Sequence, residues 1–319
     1  MRTAFTLLLF FMFVRFSQAQ MNDNTWILGY GYSKYGDILG LTKLTFDDGN
    51  LKIDTIKNVG FGYFHNNSAI SNDEGRLLAS FDGEDMMNSR YEYMENGKMM
   101  NKEIIKYNYY YSSENISQGS VMLQWPDHSD SILILYYGQL LFKKTNGEDD
   151  ISSFGMNMAS VNLKSNDGIG KVVIRDSVIL KDTIHYGRII PVKHANGRDW
   201  WILVGEINQP VFYSVLVDSK GARVMGQQMI DFTFSNGSGQ ASFSPDGSRF
   251  IVYNAVKRNS RGGEFAVFDF DRCSGLLSNA QRHITAGNFG GTAISPSGRY
   301  AYQNARDSAW RYDLQAADI

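Results

Sequence analysis

The chain has a single cysteine, Cys273, and only 5 prolines in 319 residues. One cysteine excludes an intramolecular disulfide, so core burial must hold the fold together, and a chain of this length can bury enough. Nor is there a surplus of either charge. The 31 lysines and arginines nearly balance 33 aspartates and glutamates, for a formal net charge of −2. That balance excludes the dominant basic face needed for nucleic-acid or anionic-membrane binding. Beyond the N-terminus no stretch approaches the ~18 apolar residues of a membrane-spanning helix. Several enzyme signatures are also missing: no His-Glu-x-x-His for zinc, no Gly-x-Ser-x-Gly elbow, no Gly-x-x-x-x-Gly-Lys-Ser/Thr phosphate loop. No cofactor and no metal site is expected.

What the chain does have is glycine and aromatics. It carries 31 Gly, 18 Tyr and 20 Phe, a mixture that suits many short strands joined by glycine turns and is far from a disordered composition. Residues 1–20 (MRTAFTLLLFFMFVRFSQAQ) combine Arg2, an apolar stretch from Ala4 to Val14 and a small-x-small signal at Ser17-Gln18-Ala19. This reads as a secretory signal peptide; a membrane anchor would need a longer apolar run, and Arg15 interrupts this one. The expected location is outside the cell or on its surface, with the periplasm as an alternative. Asn66, Asn115 and Asn236 stand in N-glycosylation acceptor patterns, which are short enough to arise by chance.

The most legible stretch runs from Gln240 to Asp271. Ser244-Pro245-Asp246-Gly247 is a turn in which serine can bond the backbone ahead, proline presets φ and glycine accepts the left-handed conformation. RFIVY (249–253) follows as a strand buried on both faces, and FAVFDF (265–270) as the next, before a turn at 271–275. Four short antiparallel strands in about fifty residues is the size of one propeller blade.

Two turn families repeat this unit. Taking Gly75, Ser129, Gly197, Gly247 and Gly298 as rungs of the first gives steps of 54, 68, 50 and 51 residues. The second joins third to fourth strands, with Gly49, Gly97, Gly168, Gly221 and Gly275 spaced 48, 71, 53 and 54 apart. Both ladders share a period near fifty, so the fold class expected is all-β: a β-propeller of four-stranded antiparallel blades at 24–58, 69–107, 121–176, 189–230, 241–284 and 292–319, the last incomplete. Aligning Trp26 with Trp201 starts the first blade on its second strand. The expectation is a fragment of a seven-bladed ring, with a closed six-bladed ring as the competing view.

ASFSPDGSRFIVYN (241–254) and TAISPSGRYAYQN (292–304) resemble the WD40-like repeats of exported bacterial propellers, in which an SPDG turn punctuates each blade. HANGRDWWILV (194–204), FDFDRCSGLLS (268–278) and YDLQAADI (312–319) are similar to uncharacterised secreted propellers of gliding-type Gram-negative bacteria, which often carry a C-terminal sorting module for type IX secretion. No such module is seen here. The resemblance covers most of 24–319, is weakest in blades two and three, and implies export and a propeller without supplying an activity.

His194, Arg198, Asp199 and Trp200, with Asn196 and Trp201, form the densest polar and aromatic cluster. A ligand platform could use the tryptophans for stacking and His194 or Asp199 for polar groups. The structural alternative makes Asn196-Gly197 a turn, Arg198 and Asp199 its edges, and one tryptophan an inter-blade wedge. Gly168-Ile169-Gly170-Lys171 reads as a hairpin rather than a phosphate loop, and the acidic turns at 47–50, 148–150 and 166–168 lack the spacing of a calcium loop. The basic loop 257–263 reads as solvated, and 82–90, 111–119 and 143–155 as loops available for recognition. His65, His128, His185 and His283 show no pair spacing for a metal. These features point to an exported binding or interaction module for a protein, peptide or glycan. The alternative is a hydrolase or lyase whose groups converge from several blades around the central channel.

Overall fold

The computed structural model describes residues 24–29, 40–47, 49–57, 59, 62–63, 66–101, 116–145, 148–185, 187–234, 239–255, 263–285, 290–305 and 308–316. The expected signal peptide, residues 257–262 of the basic loop, Asn115 and Asn236 lie outside these residues. Among them, no helix is long and apolar enough to cross a membrane.

The fold is an all-β propeller, with six consecutive antiparallel blades among the described residues. Blade one holds β1 (Thr25–Leu28), β2 (Leu41–Asp47) and β3 (Asn50–Ile56), and blade two holds β4 (Ser68–Ser71), β5 (Leu77–Phe81) and β6 (Met86–Asn88). Blade three is β7 (Ser120–Gln124), β8 (Ser131–Thr145), β9 (Glu148–Asn162) and β10 (Lys171–Ile184). Blade four is β11 (Ile190–Lys193), β12 (Trp200–Gly205), β13 (Val211–Asp218) and β14 (Gly221–Met229). Blade five is β15 (Ala241–Phe243), β16 (Arg249–Ala255), β17 (Gly263–Asp271) and β18 (Leu276–Thr285); blade six is β19 (Thr292–Ile294), β20 (Tyr300–Ala305) and β21 (Ser308–Asp313).

Burial on both faces of the middle strands explains their continuous apolar runs. In β8, Ile132, Ile134 and Tyr136 pack toward blade two, while Leu133, Leu135 and Tyr137 pack toward blade four. In β16, Phe250 and Val252 join the core shared with blade four, and Ile251 and Tyr253 the core shared with blade six. Each such side chain contributes roughly 1.5–3 kcal/mol by leaving water. The cores are therefore the seams between blades.

The first turn family shares one geometry. Gly75, Gly197, Gly247 and Gly298 have φ of 74°, 74°, 71° and 70°, a region that favours glycine. In the SPDG turn Ser244 N–H donates to Arg249 O at 2.9 Å, Arg249 N–H to Ser244 Oγ at 2.9 Å, and Ser248 N–H to Asp246 Oδ1 at 3.0 Å. Blade six repeats the pattern with Ser295, whose Oγ accepts from Tyr300 N at 3.0 Å.

Several expectations need correction. In blade three the left-handed residue is Asp127 (φ 64°), not Ser129, because this turn is one residue longer and closes from Trp125 N to Ser131 O. Gly97 is not a rung of the second ladder. The turn after β6 sits at Asn88–Tyr91, and 94–97 folds back on Met86. Blade three reaches Ile184 rather than 176, and the described residues of 143–155 are not a loop but the paired ends of β8 and β9, in register at Thr145↔Glu148. The intervening Asn-Gly is a hairpin signal. Trp26 does not match Trp201. Counted from the turn aspartates, Thr25↔Thr45 corresponds to Trp201↔Leu216, so Trp26 takes the slot of Ile202 and faces away from blade two. A one-residue slip reverses the face. Asn66 is 1% exposed and accepts from Ser120 Oγ, which closes it to glycosylation.

Blades four and five are tied by Arg272. Its side chain donates to Lys193 O (2.8 Å), Asp246 O (2.9 Å) and His194 O (3.3 Å), and its carbonyl accepts from Trp201 Nε1 (2.9 Å) and Ala195 N (3.0 Å). Replacing Arg272 with alanine leaves three carbonyls at the seam without this donor and should cost about 1–3 kcal/mol in urea unfolding. Arg223→Ala, which removes a surface pair with Asp218, should cost less than ~1 kcal/mol. An Arg272→Ala protein as stable as the parent would contradict the clamp.

Candidate functional site

The β11–β12 hairpin sets the geometry of the predicted cluster. Lys193 ends β11 directly opposite Trp200, so its ammonium lies 3.6 Å from the centre of the Trp200 ring and donates to Arg198 O at 3.2 Å. Its neighbour Val192 points the other way, into the core shared with blade five. Burial pushes the Lys193 ammonium down to about 8, against the opposing pull of Asp199.

His194 takes the place that Ser244 holds in blade five. Its N–H donates to Asp199 O at 2.9 Å, its Nδ1 accepts from Asn196 N at 3.0 Å, and its ring lies against Trp201 with centroids 5.6 Å apart. Asn196 in turn replaces Asp246, accepting the N–H groups of Arg198 and Asp199. Asp199 accepts from Arg198 Nε and from Asn196 Nδ2, both at 2.8 Å, and the Arg198 bond holds its carboxyl below the usual range. Arg198 also reaches blade three, 3.0 Å from Asp127 Oδ2. The four residues singled out in the sequence thus gather around one turn, and most of their bonds build that turn and its seam.

Of those four, Arg198 lines a cavity beside the turn. A hollow of about 550 Å³ opens among the first turns of blades two, three and four, where Asp73, Trp125, His128, Lys193 and Arg198 meet over a floor of Leu78, Ile132 and Leu163. The Trp125 and His128 rings lie 4.2 Å apart and form one wall. Both are fixed from blade four: Trp125 Nε1 donates to Asp218 O at 3.1 Å and His128 Nε2–H to Ser219 O at 3.0 Å. Sequence reasoning passed over Lys193, Trp125 and Asp73. Hairpin register could have placed Lys193 beside Trp200, since both flank the Asn196-Gly197 turn; nothing in the spacing links blade three to blade four.

A second hollow of about 640 Å³ lies between blades one and two, where Arg76 pairs with Glu74. At the opposite end of the blades Gln118 crosses from blade three to blade five. Its Nε2 donates to Ala241 O and its Oε1 accepts from Ala241 N, each at 3.1 Å, while its carbonyl accepts from Ile189 N of blade four. Tyr213 donates to Asp182 beside Glu206, whose carboxyl is pushed up by burial and by Asp182. Among the described residues, no group of three or more His, Cys, Asp or Glu is placed to hold a metal ion.

The environment of Lys193 makes a direct prediction. In the protein with 13C-methylated lysines, one resonance should titrate near pH 8, far below the ordinary lysine value of 10.5. Asp199→Asn, which removes the opposing charge, should lower that midpoint further. A midpoint above 10 would contradict the burial of this amine.

No protein-family model matches the sequence, and no curated protein matches it significantly. Similar solved structures include a functionally unknown protein from Desulfotomaculum acetoxidans, at 10% identity and a TM-score of 0.46 over 87% of this chain and 77% of that one. The Cps50 (Swd1) β-propeller domain of Myceliophteria thermophila is similar at 11% identity and a TM-score of 0.45, over 92% and 83% of the two chains. Kuenenia stuttgartiensis hydrazine synthase is similar at 11% identity and a TM-score of 0.42, over 88% and 71%. What the site does must be read from this chain's own residues.

Proposed function

We propose that the chain is an exported binding propeller whose turn face holds a segment of a protein, a peptide or a glycan in the cavity between blades two, three and four. One observation carries this reading: turns from three blades, each fixed by its own hydrogen bonds, surround a single hollow that joins an aromatic wall, an apolar floor and charged rims. Preformed clefts with that mixture are where ligands bind. Export rests on the N-terminal stretch with its Ser17-Gln18-Ala19 signal. The hydrolase or lyase alternative is less favoured, because Asp127 is engaged by Arg198 and His128 by a backbone carbonyl, so neither is set to activate a nucleophile.

The test is a survey of peptide and glycan arrays with the parent protein and with Ser129→Trp, which fills the cavity from an exposed lining position. Binding by the parent and at least a tenfold loss in the variant is the expected result. Equal binding by both proteins, or release of cleaved product, would overturn the reading. Mass spectrometry of the chain recovered from a Gram-negative host's envelope and medium should find it processed at the 17–20 stretch. Unprocessed chain confined to the cytoplasm would contradict export.

A further inference from the structure

Resting on that reading and narrowing it, we infer that Lys193 is a carboxylate-binding subsite, and that the cavity takes the C-terminal carboxylate of a peptide with an apolar last residue. Apart from Asp73, the other charges around the hollow are committed. Arg198 is bonded to Asp199 on one side and to Asp127 on the other, and Asp199 is filled by Arg198 and Asn196. Lys193 is not ion-paired within this network, although Asp199 pulls on it from nearby. Among the described residues no carboxylate forms an ion pair with it; it has the Trp200 ring beneath it and one backbone carbonyl beside it.

A half-buried ammonium held in place without an ion-paired carboxylate is preorganised for an anion, because much of the cost of stripping its water has been met in folding. Its position selects the kind of anion. Lys193 lines the same hollow as Leu78, Ile132 and Leu163, which can receive an apolar side chain, and as Trp125. Asp73, on the blade-two wall, has no partner among the described residues and would repel a second acidic group at that end. A single terminal carboxylate with an apolar side chain next to it satisfies both ends; a polyuronate, with acid groups at every sugar, does not.

The pH dependence has a definite sign. A bound carboxylate stabilises the protonated amine, so affinity is full below the free protein's value of about 8 and falls as the pH rises through it.

Three probes separate the outcomes: a hexapeptide ending in leucine as the free acid, the same peptide as its C-terminal amide, and an oligogalacturonate, each titrated by calorimetry against the full chain. The free acid should bind about tenfold or more tighter than the amide. Lys193→Met should erase that difference. Lys193→Arg, charged throughout, should retain it and lose the decline above pH 8. A urea melt of each variant checks that it folds, and a misfolded Lys193→Met is replaced by Lys193→Gln. Acid and amide binding equally in the parent would overturn the carboxylate subsite while leaving the cavity reading standing, provided Ser129→Trp abolishes both. Lys193-dependent binding of the oligogalacturonate alone would overturn the peptide assignment. Binding of no probe would overturn the inference, and binding of any probe unchanged by Ser129→Trp would overturn the cavity reading itself.

Discussion

The structure depends on the middle strands of blades two to five being covered on both faces. A strand such as β8 has no polar face to give to water, so its alternating residues belong to two different cores, one shared with each neighbouring blade. The apolar cores therefore join neighbouring blades to one another. With no disulfide available, seam contacts such as the Arg272 clamp and the Phe212, Phe250 and Phe268 ring cluster take over the work of cross-links.

The same constraint positions the site. Turns that join first to second strands must close tightly at the ends of buried strands, which fixes their backbones with internal bonds and leaves side chains at their tips to point outward. In blade five those tips serve the turn itself, as Asp246 does. In blades three and four the turn sequence departs from the repeat: His194 and Asn196 take over the roles of serine and aspartate, and Pro126-Asp127-His128 is one residue longer. The departures are where the cavity forms, and blade-four carbonyls hold the Trp125 and His128 wall in place.

The sequence made some of this legible and hid the rest. RFIVY and SPDG announce their strand and turn because local chemistry decides them, and the repeat period carried that recognition to the other blades. Where local chemistry was ambiguous, spacing misled. Gly97 sat at the right interval but packs against Met86, and Trp26 resembled Trp201 while occupying the slot one residue over, which turns it to the opposite face. His194, Arg198, Asp199 and Trp200 stood out by composition, yet composition does not tell a turn-building histidine from a ligand-binding one. Lys193 was invisible because its character comes from burial and from the company of blades two and three, which no spacing along one blade encodes.

Hydrogen–deuterium exchange of the full chain, with and without a bound peptide, tests the central claim most directly. If the turn face is the binding face, exchange should slow at 125–131 and 193–199 and stay unchanged at 116–119 and 206–210 at the opposite end of the blades. Slowing confined to 116–119 and 206–210, with the turns of blades three and four unaffected, would contradict the account.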